Sequence, residues 1–181
     1  MVKHRNIIRA ETDKGNARQH NDWKYEMQPD IRLDTAEKND LRNLVSIISK
    51  RSNAENEQEF GYECRAKALI SIMWNPDIAT LYVIRDGEQT IGMLIMHLLI
   101  SAVQGGRCGC IESLYIPPEY RNPRSGRQVT SHIKAIAAEK GLKQVTLIVD
   151  KSEAPAIEFY KSCGFKDTSR SGLELQILDG Q

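Results

Sequence analysis

The stretch "CGCIESLYIPPEYRNPRSGRQVTSHIKAIAAEKGLKQVTLIVD", residues 108–150, decides the fold. Its opening residues, 108–116, read as a strand. From about residue 126 the apolar positions Val129, Ile133, Ile136 and Ala137 share one helical face, and Gly141 is a C-terminal stop. "QVTLIVD" (144–150), rich in β-branched residues, reads as a second strand. A strand, a helix and a strand in this order predict a mixed sheet around one right-handed crossover, and so an α/β fold.

Between the first strand and the helix lies "YRNPRSGRQV" (120–129). A strand that leaves through a Gly-containing loop into a helix start brings unpaired N–H groups and the positive end of the helix dipole together, a setting for anions. The loop holds one glycine, Gly126, and three arginines, Arg121, Arg124 and Arg127. From Pro117 to Lys151, seven basic residues stand against three acidic ones; seven minus three leaves a local excess of four in a chain of net charge +1. The lysines of that set read as a solvated helix face, the arginines as phosphate contacts. Pro123 has no N–H to offer, so the candidate donors are the amides of Arg124, Ser125, Gly126 and Arg127. A left-handed backbone at Arg124 would cost about 1–2 kcal/mol. A charge-assisted hydrogen bond to a phosphate oxygen returns roughly 1.5–3 kcal/mol.

Working toward the N-terminus, "ATLYVI", an Asp86-Gly87 turn signal and "TIGMLIMHLLIS" predict a hairpin. His97 sits in its second strand and reads as a packed or edge-facing residue outside any site. Before the hairpin, a helix over about 57–74, with Ala68, Leu69, Ile72 and Met73 inward, stops at Asn75-Pro76. "DIRLD" predicts a first strand. A helix follows it, with an Asp34 to Glu37 capping box and Leu41, Leu44, Val45 and Ile48 on one face. Residues 1–30 mix six basic and five acidic residues with little periodicity, as a mobile polar arm would. The domain is expected over 31–181. Toward the C-terminus, a short helix over about 153–162 ends at Gly164, and Phe165 and "LELQIL" are expected to supply the last strands. The expected order is β-α-α-β-β-β-α-β-α-β-β.

The 181 residues, 40% hydrophobic and 27% charged, suit one globular domain. Near-cancelling charge gives no reason to expect nucleic acid or an anionic membrane as a partner. The longest apolar run, "IGMLIMHLLI", is half a membrane span, and no signal peptide is read, so the expected location is cytoplasmic. Cys108 and Cys110 form a C-x-C with no second pair and no His at ligand spacing. They read as strand thiols, and no metal is assigned.

Three stretches together resemble the GNAT superfamily of N-acetyltransferases over about residues 31–179. "IESLYIPPEYR" looks like that family's fourth strand and its exit, and "RNPRSGRQV" stands where the family has R/Q-x-x-G-x-G/A. "EAPAIEFYKSCGF" is similar to its N-x-x-A-I-x-x-Y-x-x-x-G-F ending, with Ala156, Ile157, Tyr160, Gly164 and Phe165 in register. Arg121 and Gly126 match, whereas Arg124 replaces the first glycine and Glu153 the usual asparagine. The resemblance implies a GNAT-like mixed, mostly antiparallel twisted sheet with helices on both faces.

It also implies acetyl-CoA as acyl donor and a primary amine as acceptor. Main-chain groups of Leu114, Tyr115 and Ile116, on a fourth strand splayed from the fifth, would bind the pantetheine and polarise the acetyl carbonyl. Arg121, Arg124, Ser125, Gly126 and Arg127 would take the pyrophosphate. Tyr160 stands where the family commonly keeps the acid that protonates the thiolate; its alternative role is aromatic packing. Glu112 interrupts an apolar run. If partly buried it suits a base, and otherwise it is an exposed or paired strand glutamate. Glu55, Glu57, Glu59 and Glu63 would favour a cationic acceptor, or else form a solvated helix start. The competing class is a binding or regulatory protein that keeps the fold but has lost turnover through Arg124 and Glu153. Transfer to charged RNA fits the charge poorly, and a homodimer is an open expectation.

Overall fold

A computed structural model describes residues 30–51, 61–168, 170, 172, 173 and 175. The expected arm at 1–30, apart from Asp30, and Glu55, Glu57 and Glu59 lie outside the described residues. Within them, strands β1 (Ile31–Thr35), β2 (Ala79–Asp86), β3 (Gln89–Ser101), β4 (Gly106–Tyr115) and β5 (Val145–Leu147) form one sheet in the order β1-β2-β3-β4-β5. The first three pairings are antiparallel and β4–β5 is parallel. Helices α1 (Leu41–Arg51) and α2 (Tyr62–Trp74) follow β1, α3 (Pro123–Glu139) joins β4 to β5, and α4 (Ala154–Ser162) follows β5.

The alternation of apolar side chains along β2 and β3 builds two cores. Ile84, Leu94, Met96 and Ile111 pack with Val129 and Ile133 of α3 on one face. Val83, Met93 and Ile95 pack with Leu44, Val45 and Leu69 of α1 and α2 on the other. Both faces of β3 are therefore covered, which explains its near-continuous apolar run. The mixed, mostly antiparallel sheet with helices on both faces is the expected architecture.

Several local expectations change. The capping box forms three residues later than predicted, between Glu37 and Asp40, whose Oδ2 accepts from the Glu37 amide at 3.0 Å. Asp34 instead pairs with Arg85 at 3.2 Å, and Arg85 also reaches Asp40 at 2.8 Å. A cross-strand arginine thus claims the carboxylate that local spacing had assigned to the helix. α2 is described from Tyr62, and Ala68 is exposed while Leu69 is buried. Phe165–Thr168 are not in a strand, and much of "LELQIL" lies outside the described residues. β5 is three residues long rather than seven.

Candidate active site

The short β5 creates the site. The β4–β5 register runs from Gly109–Val145 to Ile111–Leu147 and stops, with a last bond from the Ile148 amide to the Ile111 carbonyl at 3.0 Å. β4 continues to Tyr115, while the chain after Ile148 turns into a loop held by Asp150. The Asp150 carboxylate accepts from the Ser152 amide at 2.8 Å and the Ser152 hydroxyl at 2.7 Å, and these bonds hold its carboxyl below the ordinary range. The two strands part, and the β4–β5 register ends at Ile111.

Two cavities occupy the gap. One, about 240 Å³, opens toward α1 and is lined by Lys50, Tyr115, Ile148 and Asp150 among others. The second, about 340 Å³, lies between α3 and α4 and is lined by Ile116, Pro123, Gly126, Pro155 and Phe159. They share Leu114, Arg121, Glu153 and Tyr160, so the gap is a slot running from one face of the sheet toward the other. The structure thereby brings together Leu114, Tyr115, Ile116, Arg121, Gly126 and Tyr160 from the expected site, and adds Glu153.

The loop "YRNPRSGRQV" is largely helix. α3 starts at Pro123 rather than near 126, because Asn122 is an N-cap and Pro suits the first helical position. Asn122 Oδ1 accepts from the Arg124 amide at 3.1 Å and the Ser125 amide at 2.8 Å, and the Gly126 amide bonds the Asn122 carbonyl at 3.2 Å. Three of the four expected donors are thus engaged within the chain. Arg124 lies in the helical first turn, so the left-handed backbone considered for it is not required. Its side chain and that of Arg127 are exposed. Arg121 donates Nε to the Ile116 carbonyl at 2.6 Å and lies 5.5 Å from the Tyr115 ring centre, which ties the exit of β4 rather than reaching outward. Lys134, read as solvated, donates to the Cys163 carbonyl at 2.8 Å near the end of α4.

Two glycines carry close approaches. A Cβ on Gly126 would meet Phe159 Cζ at 2.5 Å, so the matched glycine of the loop lets α3 pack against α4. A Cβ on Gly92 would meet the Tyr115 carbonyl oxygen at 2.5 Å. Gly92 was not singled out by the sequence, because a lone glycine in a strand marks a close approach without saying to what.

Tyr160 is half-buried, with edge contacts to Phe159 and Phe165 at 5.5 and 5.9 Å between ring centres. Packing and lining the slot are therefore both true of it. Of the two readings of Glu112, the structure gives the exposed and paired one: its side chain is 57% exposed. It is the extra residue of a β-bulge, since Ile95 opposes Ser113 while Met96 opposes Ile111. Its Oε2 lies 2.6 Å from Nε2 of His97, the residue that the sequence reading left out. Cys108 and Cys110 are free thiols on β4, and burial together with the charge of Glu112 pushes the Cys110 thiol up. Among the described residues, no helix is long and apolar enough to cross a membrane.

A model of the Acetyltransferase (GNAT) family matches residues 45–165. Thialysine N-epsilon-acetyltransferase of Bos taurus is 25% identical over 138 residues, 76% of this chain and 75% of the bovine protein. The crystal structure of a possible acetyltransferase from Clostridium difficile 630 superposes with a TM-score of 0.71 at 17% identity, covering 82% of this chain and 98% of that one. A predicted acetyltransferase of Clostridium acetobutylicum, solved with acetyl-CoA, superposes with a TM-score of 0.60 at 20% identity, over 81% of this chain and 96% of that one.

Proposed function

The chain belongs to the Acetyltransferase (GNAT) family and is an N-acetyltransferase; from that premise we propose that it moves an acetyl group directly from acetyl-CoA to a primary amine through the β4–β5 slot. The observation that carries this is the slot itself, where the two cavities meet at Leu114 and Tyr160. The acyl donor enters from the α3–α4 side, with its phosphates near the first turn of α3 and the exposed Arg124 and Arg127. Its pantetheine runs along the edge of β4 that β5 leaves, where main-chain groups of Leu114 and Tyr115 and the amide of Ile116, whose carbonyl is held by Arg121, align it and polarise the thioester carbonyl. The acceptor comes from the α1 side, which carries the cavity lined by Lys50 and Tyr115.

Chemistry in this arrangement needs little covalent help from the protein. A neutral amine attacks the carbonyl carbon, the C–S bond breaks, and a phenol protonates the departing thiolate; Tyr160, lining both cavities, has that role. Glu112, beside the point where the strands part, serves removal of the amine proton. The acceptor is a protein lysine or N-terminal amine, a polyamine or another small amine. The bovine relative's name refers to an ε-amine, which supports a primary amine here.

The test is thermal shift with acetyl-CoA, followed by thiol release with L-lysine, spermidine and a peptide carrying a free N-terminus. Stabilisation together with release on at least one amine is expected. Stabilisation without release on any amine would return the binding-module alternative, and absence of stabilisation would remove the donor assignment.

A further inference from the structure

The proton-accepting part of this proposal has a more specific geometry. His97 on β3 and Glu112 on β4 face the same side of the sheet as Ile95 and Tyr115, the side bordered by α1 and α2. Nε2 of His97 and Oε2 of Glu112 are 2.6 Å apart, with side-chain exposures of 36% and 57%. An ionised carboxylate can only accept, so Nε2 carries the hydrogen and donates it. That assignment makes Nδ1 the lone-pair nitrogen of the ring, and Glu112 is the hydrogen-bond partner of His97 among the described residues.

We infer that His97 is the proton acceptor for the amine, at Nδ1 and through water, and that Glu112 is the residue that orients its ring. The inference deepens the acetyl-transfer reading and rests on it. Three observations carry it. The bulge turns both Glu112 and Ser113 to this face, where the carboxylate reaches across to β3. Glu112 stands at the point where β4 and β5 separate, just beyond Ile111, and links it to His97 one strand further in, opposite Cys110. Among the described residues, β4 presents Cys110 opposite His97 and β2 presents Ala79, and Leu44, Ile47 and Leu69 of the helices share the apolar cluster of the neighbouring Ile95. Burial and the charge of Glu112 keep the Cys110 thiol protonated at neutral pH.

Chemical class favours the imidazole. Imidazoles titrate about two units above carboxylates, so at equal geometry an imidazole holds the proton of an ammonium about a hundred times better. The step balances as follows. R–NH3+ gives one proton to Nδ1 and becomes R–NH2. As C–N forms and C–S breaks, the proton then leaving nitrogen replaces the one that Tyr160 gives to sulfur, and the imidazolium releases its proton to solvent.

The experiment measures kcat/KM against pH for the wild type, His97→Gln, His97→Gly and Glu112→Gln, using the best amine of the three-member panel, with acetyl-CoA thermal shift as the folding control. His97→Gln is expected to lose at least about a hundredfold in kcat/KM at neutral pH, the contribution of a positioned base, with its acetyl-CoA shift intact. Free imidazole should restore part of the His97→Gly rate. Glu112→Gln, whose amide oxygen still accepts from Nε2, should lose less than His97→Gln. Wild-type kcat/KM in His97→Gln, or a loss in Glu112→Gln that exceeds it, would overturn the inference while leaving acetyl transfer standing. A wild type that releases thiol with none of the amines would remove both.

Discussion

Two junctions of the same strand behave in opposite ways. β4 stays registered with β3 from Ser101–Gly106 through Met93–Tyr115, interrupted by the bulge at Glu112. With β5 it stays registered only from Gly109 to Ile111. The first junction is antiparallel and buried on both faces around Met93, Leu94 and Met96, so its main-chain groups are satisfied and its side chains packed. The second is parallel and only half-buried along Val145–Leu147, and nothing along β4 holds it closed past Ile111. One edge of β4 is thus scaffold and the other is a row of main-chain groups open to a ligand. The proposed acyl donor would lie along the second edge, which the first holds in place.

The strongest way to sharpen this contrast is to remove chemistry from the open edge without touching the closed one. Tyr160→Phe keeps the ring packing against Phe159 and Phe165 but deletes the hydroxyl. Turnover should fall about 10²–10⁴-fold, with little change in the acetyl-CoA thermal shift; wild-type turnover would leave Tyr160 a packing residue.

Breaking the closed edge should cost less rate but more stability. Gly92→Ala drives a methyl to within 2.5 Å of the Tyr115 carbonyl oxygen, a backbone atom that cannot swing aside. Overpacking of this kind costs about 1–3 kcal/mol, seen as a melting temperature lowered by about 2–4 °C per kcal/mol. Acetyl-CoA binding should weaken with it, because Tyr115 lies on both edges. A variant that melts normally would mean the strands have slack at this point.

On the α3–α4 side, Gly126→Ala meets the tip of the Phe159 ring, a side chain that can yield, so about 1 kcal/mol is expected. Adding Phe159→Ala should relieve the clash, which shows as non-additivity in a double-mutant cycle by thermal unfolding. Strict additivity would place the need for glycine elsewhere. The smallest effect is expected for Asn122→Ala, which removes the cap over the Arg124 and Ser125 amides. It should cost about 1 kcal/mol of stability yet tighten acetyl-CoA binding, measured by titration calorimetry, because two donors are released. Weaker binding would show that the cap itself faces the donor.

The legible parts of this protein were those with local causes. The 3.6-residue spacing of Val129, Ile133 and Ile136 identified α3, the Asp86-Gly87 turn located the hairpin, and the register of Ala156, Ile157 and Tyr160 marked α4 and the slot beside it. Asn122-Pro123 was legible as an N-cap and first-turn signal, yet the glycine pattern of the loop drew the helix start three residues too far along. His97 and Glu112 are fifteen residues apart, and their pairing depends on a bulge that no periodicity announces.

The sequence by itself determined the order of elements, the apolar faces and the family motifs, because periodicity, turns and caps act over a few residues. Tertiary structure alone decided where β5 leaves β4, why Gly92 and Gly126 have no side chain, and which partner Glu112 meets. Each of those is a contest between a local preference and a group brought in from another element. The outcome depends on a separation of a few ångströms that the chain sets only once its cores have formed.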